Sequence, residues 1–303
     1  THKRFSWVGT INTIQSIITA ILILLAFILR RSILDVLGAY LLGKSFAGIS
    51  IAILAFRQMN RSFGYRWWHS SLRLVKDWRS IFGFAINTNL NGTVNLITRD
   101  NAPLYLAALS PADVTTAYVG YFKLGLSIIN LITLPIDPFI WPTYAEITRT
   151  IALHQWQKTR GLLKQVSSIA GAWTFSASAG IALFGWWLIP FLYGPTALPA
   201  YPVVLILLVG YGVANTFNWN RPLMLALGKP SYPLFVALGV GALELLLILS
   251  LVPTGGYLVM SAILSVYLAV SVGIIAWKGW RLIKHNEFLD QKPQGTISED
   301  IAT

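Results

Sequence analysis

The sequence predicts an all-α, polytopic membrane protein with about eight transmembrane helices, and three observations carry that expectation. Of its 303 residues 55% are hydrophobic and only 11% are charged, far fewer charges than a soluble globular domain carries. Apolar segments recur at lengths that cross a bilayer as helices. The basic residues gather in the gaps between those segments, where a membrane protein keeps its cytoplasmic connections.

The first span runs from about Val8 to Leu29, roughly 33 Å of helix at about 1.5 Å per residue. Arg30 and Arg31 close it, and the second, about Ile33 to Phe56, follows tightly enough to form an antiparallel hairpin. Asn12, Gln15, Ser16 and Thr19 share a face of the first helix that either lines water or packs on protein. From Arg57 to Arg79, six basic residues oppose Asp77 among Tyr65, Trp67 and Trp68, which reads as an interfacial connection on an anionic leaflet rather than as a platform for bases. A third span extends from Ile81 to Leu109 with irregularity near Pro103, and a turn at Ser110–Asp113 leads to a fourth, Val114 to Trp141. Pro135, Pro138 and Pro142 predict that the fourth bends in its last turns. Residues 147–165 are polar and basic without clear apolar periodicity. The fifth span, Val166 to Ile189, carries a small-residue series at Ala172, Ser176 and Gly180 suited to close packing. The sixth, Pro202 to Leu227, is interrupted at Asn215–Pro222, and the seventh and eighth, Tyr232 to Leu251 and Tyr257 to Trp277, are joined through Pro253–Gly256. A polar tail from Asn286 is expected to be disordered.

Alternate connections hold Lys and Arg unequally, eighteen on one side against Arg30, Arg31 and Arg99 on the other. The rich side is cytoplasmic by the positive-inside rule, and eight spans put both ends there. The net charge of +12 therefore belongs to membrane topology, and no nucleic-acid partner is expected. The absence of cysteine, with four histidines at no helical metal spacing, predicts no metal or other cofactor. Ten tryptophans near span ends form an aromatic belt, with Trp219 the interior exception worth testing as a sugar platform.

The informative residues are the polar ones inside spans. Lys44 and Lys123 are expensive to leave unpaired there, so each faces water, a carboxylate or an anionic ligand, or snorkels to the headgroups. Ser127 and Asn130 continue the Lys123 face, and Asp137 follows them. Asn87, Asn91 and Asn95 recur at i+4 and reach Thr98; interhelical hydrogen bonding and recognition of sugar hydroxyls account for this stripe equally. Arg99 and Asp100 are expected to pair at the outer mouth, where their resemblance to a family motif given below implies a structural or gating part rather than proton transfer. Glu244 stands alone in an apolar helix, either as a packing-interface pair or as a coupling acid; Asp137 is the second acidic candidate for gating or coupling.

Several motifs resemble a known family. Arg99-Asp100, the Ser-Pro-Ala-Asp turn, Tyr118-Val119-Gly120-Tyr121 and Trp141-Pro142 are similar to the seventh and eighth helices of the bacterial polysaccharide flippases, in the superfamily that also holds the multidrug and toxin extrusion transporters. Phe191–Pro195 resembles that family's short outward loop, and Leu225–Pro230 the turn closing its tenth helix. The resemblance implies helices five to twelve, the C-terminal part of a two-lobe exporter. Residues 1–56 would end the first lobe, 57–79 link the lobes on the cytoplasmic side, 80–278 form a six-helix second lobe and 279–303 a cytoplasmic tail. Four preceding helices would be missing.

The resemblance further implies that the protein is no enzyme and that it moves a polyprenyl-pyrophosphate-linked anionic oligosaccharide across the bacterial inner membrane for cell-surface polysaccharide or lipopolysaccharide synthesis. Lys44, Lys123, Ser127, Asn130, Asn87, Asn91 and Asn95 would then bind cargo, with membrane lipids and a polysaccharide polymerase or assembly protein as partners and proton or sodium coupling left open. The alternative is a cation-coupled multidrug antiporter of the same superfamily, which favours a compact acidic cavity. A membrane-embedded glycosyl- or acyltransferase would need clustered acids or histidines, and none cluster in the sequence.

Overall fold

A computed structural model describes residues 5–29, 32–64 and 78–291, and these are helical almost throughout. They fall into two compact units, residues 1–76 and 77–303, so the division lies inside the basic segment. The core of that segment, 65–77 with Tyr65, Trp67 and Trp68, lies outside the described residues, as do Lys3, Arg4, Arg30, Arg31 and the tail from 292.

The first unit is the predicted hairpin of α1 (Phe5–Ile28) and α2 (Ile33–Phe63). Ile11, Gln15, Thr19 and Ala26 are buried on α1, and Ala39, Gly43 and Ala47 on α2. The small residues at i+4 let the backbones approach: a Cβ at Gly43 would overlap the Thr19 hydroxyl. Gln15 donates to Thr19 at 3.0 Å, and Thr19 donates to its own Gln15 carbonyl at 2.8 Å. That half of the polar face packs on protein, while Asn12 and Ser16 stay exposed. α2 runs six residues past Arg57 to Phe63, so the linker begins later than composition suggests.

The second unit contains α3 (Trp78–Asn95), a π-helical turn (Leu96–Asp100), α4 (Ala102–Leu109), α5 (Thr115–Thr133), α6 (Asp137–Ala152), α7 (Trp156–Tyr193), α8 (Ala200–Thr216), α9 (Asn220–Ala226) and α10 (Ser231–Gln291). By length and composition, five described helices can cross a membrane, and α5 with α6, bent by 52°, makes a sixth candidate. Two features separate this number from the expected eight. The asparagines and threonines of α3 lower its hydropathy, and α10 joins two predicted spans into 61 residues interrupted at Gly256, where φ is 60°. Its limbs double back on each other, since Gly241 faces the Tyr267 ring.

The breaks have local causes. Pro135 lacks an N–H, and the Ile136 amide bonds Thr133 rather than Ile132; the Ile132 carbonyl so freed accepts from the Trp173 indole at 2.8 Å. Pro103 sits at the start of α4, where a missing donor costs nothing. α10 continues to Gln291, beyond the expected start of disorder at Asn286, because Glu287 pairs with Arg160 at 3.2 Å and Asp290 accepts from Trp156 and pairs with His154.

α8 is the hub. It packs on α10, α7 and α5, and Val203, Val204, Leu207 and Leu208 are buried with Phe122 and Ile129 of α5 and Met260 and Leu264 of α10. Its tightest contact is polar: Ser265 Oγ accepts from the Gly210 amide at 2.7 Å and donates to the Ile206 carbonyl at 2.7 Å. A Cβ at Gly210 would strike the Ser265 backbone. Gly210→Leu should therefore lower the melting temperature of the detergent-purified protein, at a cost of about 1–3 kcal/mol or more for overpacking. Gly239→Ala, where nothing lies within 4 Å, should leave it unchanged or slightly raised.

Candidate functional site

Two polar regions stand out in the second unit. The first is the exposed stripe of α5. Thr116, Ala117, Gly120, Lys123, Ser127 and Asn130 are exposed, with Phe122, Gly125, Ile128 and Ile129 buried on the opposite side. Between 116 and 130 every exposed residue of this helix is small or polar, whereas the exposed residues of α7 include Phe175, Leu183, Phe184 and Trp186. An apolar solvent selects the second pattern and not the first. Ser127 spends its hydroxyl proton on the Lys123 carbonyl at 2.9 Å. Among the described residues no ion pair reaches the Lys123 ammonium, and no hydrogen bond is made by the Asn130 amide. α5 packs on α4 across the Ser110–Asp113 turn, as the short connection predicts, but α3 packs chiefly on α10.

That docking creates the second region, an interior network among α3, the π turn, α8, α9 and α10. Asn87 donates to the Gly83 carbonyl at 2.8 Å and Asn95 to the Asn91 carbonyl at 2.8 Å, so their side chains largely satisfy their own helix. Asn95 Oδ1 then accepts from Arg221 of α9 at 2.7 Å. Thr98 is buried, donates to the Val94 carbonyl at 2.9 Å and is hydrogen-bonded to the Tyr267 hydroxyl at 3.1 Å. The interhelical reading of the asparagine stripe thus has a concrete partner at Asn95, and Asn87 and Asn91 are half-buried beside it.

Arg99 and Asp100 pair at 2.8 Å, with both side chains nearly half exposed. They stand ten residues before the Ser110 turn, about 15 Å of helix, and Arg99 lies within electrostatic reach of Tyr211, Tyr267, Arg221 and Asp137. Arg221, assigned from sequence to a cytoplasmic connection, is likewise half-buried in this network. Asp137 is exposed at the start of α6 without an ion-pair partner among the described residues. Lys44, in the first unit, is exposed and sits over the Tyr40 ring at 5.5 Å, a cation–π contact with its own helix.

Glu244 is placed differently from all of these. Leu234, Ala237, Gly241, Glu244, Ile248 and Val252 form the buried stripe of the first limb of α10. Its side chain is 2% exposed, and neither carboxyl oxygen has a hydrogen-bond partner. Tyr211 of α8 and Tyr267 of the second limb are within reach of its charge. Sequence alone identified the residue but not these neighbours, which arrive from chain positions 33 before and 23 after it.

Trp219 is buried, with its indole N–H donating to Ser167 at 2.6 Å. It forms one wall of an apolar cleft of about 630 Å³ with Lys164, Trp277 and Trp280 at its edge. No group of three or more His, Cys, Asp or Glu able to hold a metal occurs among the described residues.

A solved structure is similar to this one. The crystal structure of the Vibrio cholerae MATE transporter VcmN, D35N mutant, matches with a TM-score of 0.64 at 17% identity over 93% of this chain. The chain shares that fold. It spans 63% of that transporter's length. No protein-family model matches, and no curated protein sequence matches. The likeness is one of fold, an all-α, multi-helix fold of polytopic membrane type.

The two regions differ in what they contribute to stability. Lys123→Ala should leave the melting temperature unaltered, because the ammonium touches no partner. Asn95→Ala should lower it by about 1–3 kcal/mol of stability, the cost of leaving the Arg221 donor unpaired in the interior, and thermal melts of both variants in one detergent provide the comparison.

Proposed function

We propose that the complete protein is a cation-coupled membrane exporter that works by alternating access, with this chain supplying the last two helices of a first lobe and a six-helix second lobe on either side of the basic connection. The fold shared with a MATE transporter over 93% of the chain carries this reading. In it, eight spans arise when α3 to α4, α5 to α6 and α8 to α9 each count as one broken helix and α10 as two. Discontinuous helices of this kind suit a transporter, since irregular backbone at membrane depth is tolerated only against protein or a water-lined cavity. The location is a bacterial inner membrane with both ends of this chain cytoplasmic.

A second reading is favoured by the α5 stripe. Lys123 is a fixed positive charge with no carboxylate beside it among the described residues, on a stretch of α5 whose exposed residues from 116 to 130 are small or polar before Leu131 and Leu134 follow. That suits an anionic, hydroxyl-rich headgroup better than a cationic drug, so the cargo of this reading is a polyprenyl-pyrophosphate-linked oligosaccharide, with Lys123, Ser127 and Asn130 on the headgroup and the polyprenyl tail left in lipid. Asn87, Asn91, Asn95 and Lys44 are secondary candidates, and Arg99, Asp100 and Asp137 would gate.

The test is transport by the full-length protein in vesicles, comparing a cationic drug with a pyrophosphate-linked oligosaccharide under separate proton and sodium gradients. Gradient-driven drug movement unaffected by Lys123→Ala supports the antiporter. Glycan movement lost in Lys123→Ala and partly kept in Lys123→Arg supports the flippase. Movement of neither cargo under either gradient sinks both.

A further inference from the structure

Among the described residues, the side-chain polar atoms left without a partner in the interior belong to Ser110, Asn218, Asn220 and Glu244, and Glu244 is the only carboxyl. A carboxylate in that position has lost water and gained nothing in return, which a protein tolerates only by keeping the group neutral or by giving it a counter-ion. Among the described residues no cation reaches it: Arg99 is engaged by Asp100 at 2.8 Å, and Arg221 by Asn95 at 2.7 Å.

The other elements around α10 offer no counter-ion either. α8 presents Tyr211 and the second limb Tyr267, while α4 contributes Tyr105 to the neighbouring core. Tyr118 and Tyr121 of α5 pack tilted against Tyr257 beside the kink, at 4.8 and 5.5 Å between ring centroids, and Lys123 is exposed. The basic residues of α7, Lys158, Arg160 and Lys164, lie in its first three turns, and Arg79 is exposed in the first turn of α3. Nor does the site resemble a sodium or divalent-cation cage, which would need several converging oxygens; one carboxyl and two tyrosine hydroxyls are the nearest supply.

We propose that Glu244 is a proton-carrying site inside the helix bundle, neutral in the arrangement described and ionised when the surrounding helices open it to water on one side. The proton leaves a carboxyl oxygen for water; the electron pair stays on the carboxylate. The Tyr211 and Tyr267 hydroxyls are the donors positioned to receive the ionised form. Tyr267 is also hydrogen-bonded to Thr98 in the π turn, so rotating that hydroxyl toward Glu244 breaks a contact between α10 and the turn that carries Arg99 and Asp100. A π turn is a surplus residue in an α-helix and a recurrent feature of functional sites. Loading and unloading the proton would thereby bias the packing of α3 on α10. This rests on the reading of the chain as part of a cation-coupled transporter and assigns the coupling ion and its residue.

The decisive measurement is infrared difference spectroscopy of the purified full-length protein across a pH titration, which reads the carbonyl stretch of a protonated carboxylic acid directly and needs no cargo. A pH-dependent band that disappears in Glu244→Gln and shifts in frequency in Tyr267→Phe is the expected result. Absence of any band assignable to Glu244, or its persistence unchanged through the titration, overturns the proposal. Glutamine copies the size and neutrality of the protonated side chain, so failure of Glu244→Gln to fold would count against it as well.

In vesicles the same variant should lose transport driven by a proton gradient while keeping cargo exchange at equal pH; proton-driven transport at the wild-type rate would overturn the assignment. A titrating Glu244 band in a protein that moves neither drug nor glycan would leave the proton site standing and remove the function proposed above.

Discussion

The constraint that shapes this molecule is the poverty of hydrogen-bond partners inside a bilayer. Side chain after side chain answers it by bonding the carbonyl four residues back: Thr13, Ser16 and Thr19 in α1, Asn87, Thr88, Asn89 and Asn95 in α3, Ser127 in α5, Thr174 in α7, Ser250 and Ser261 in α10. This device costs little and requires no neighbour. It also means that a polar stripe on a spanning helix is weak evidence for a ligand, since much of its capacity is already spent. The exceptions carry the information: Asn95, whose oxygen is claimed by Arg221; and, among the described residues, Lys123, with no partner on an exposed face, and Glu244, buried with none.

The interior network owes its position to the close approach of α8 and the second limb of α10. Ser265 bonds the α8 backbone twice at 2.7 Å, which is possible only because Gly210 has no side chain. Tyr211 is the next residue after that glycine, and Tyr267 is two residues beyond that serine. The same contact that locks the helices therefore sets both tyrosines around Glu244. Gly241, one turn before Glu244, brings Thr98 and Tyr267 to the same place: a Cβ there would meet the Thr98 methyl at 2.6 Å.

Much of this was legible in sequence. Segment length gave the hairpin of α1 and α2, the prolines at 135 and 138 gave the break between α5 and α6, and the polar run at 215–222 gave the gap between α8 and α9. What sequence could not supply was depth and partnership. Counting basic residues by connection treats every span as straight and continuous, and so made no room for the π turn that carries Arg99 or for the break at 217–219 that leaves Arg221 half-buried against Asn95. The asparagine periodicity in α3 predicted a polar face but not that the face would meet α10. Chain neighbours joined by a short turn are the natural first choice, and here α5 takes α4, leaving α3 to a helix more than a hundred residues later. The tail offers the converse case, where polar composition suggested disorder and a few long-range partners, Arg160, His154 and Trp156, hold the helix to Gln291.

The two candidate regions embody different electrostatic solutions within one bundle. A lysine on an exposed polar stripe keeps its charge through any rearrangement that leaves the stripe wet, so it can attract an anionic group but cannot by itself report a gradient. Glu244, buried on the inner stripe of α10, has the opposite property under the proposal made above: its charge would depend on whether the helices around it are closed. The exporter proposed above would use both, a surface that holds cargo and a group whose charge changes with conformation. Their separation, on α5 and on α10 with α8 packed against both, places the connection between them in the helix whose packing tolerates least, so a displacement at either site must be felt along α8.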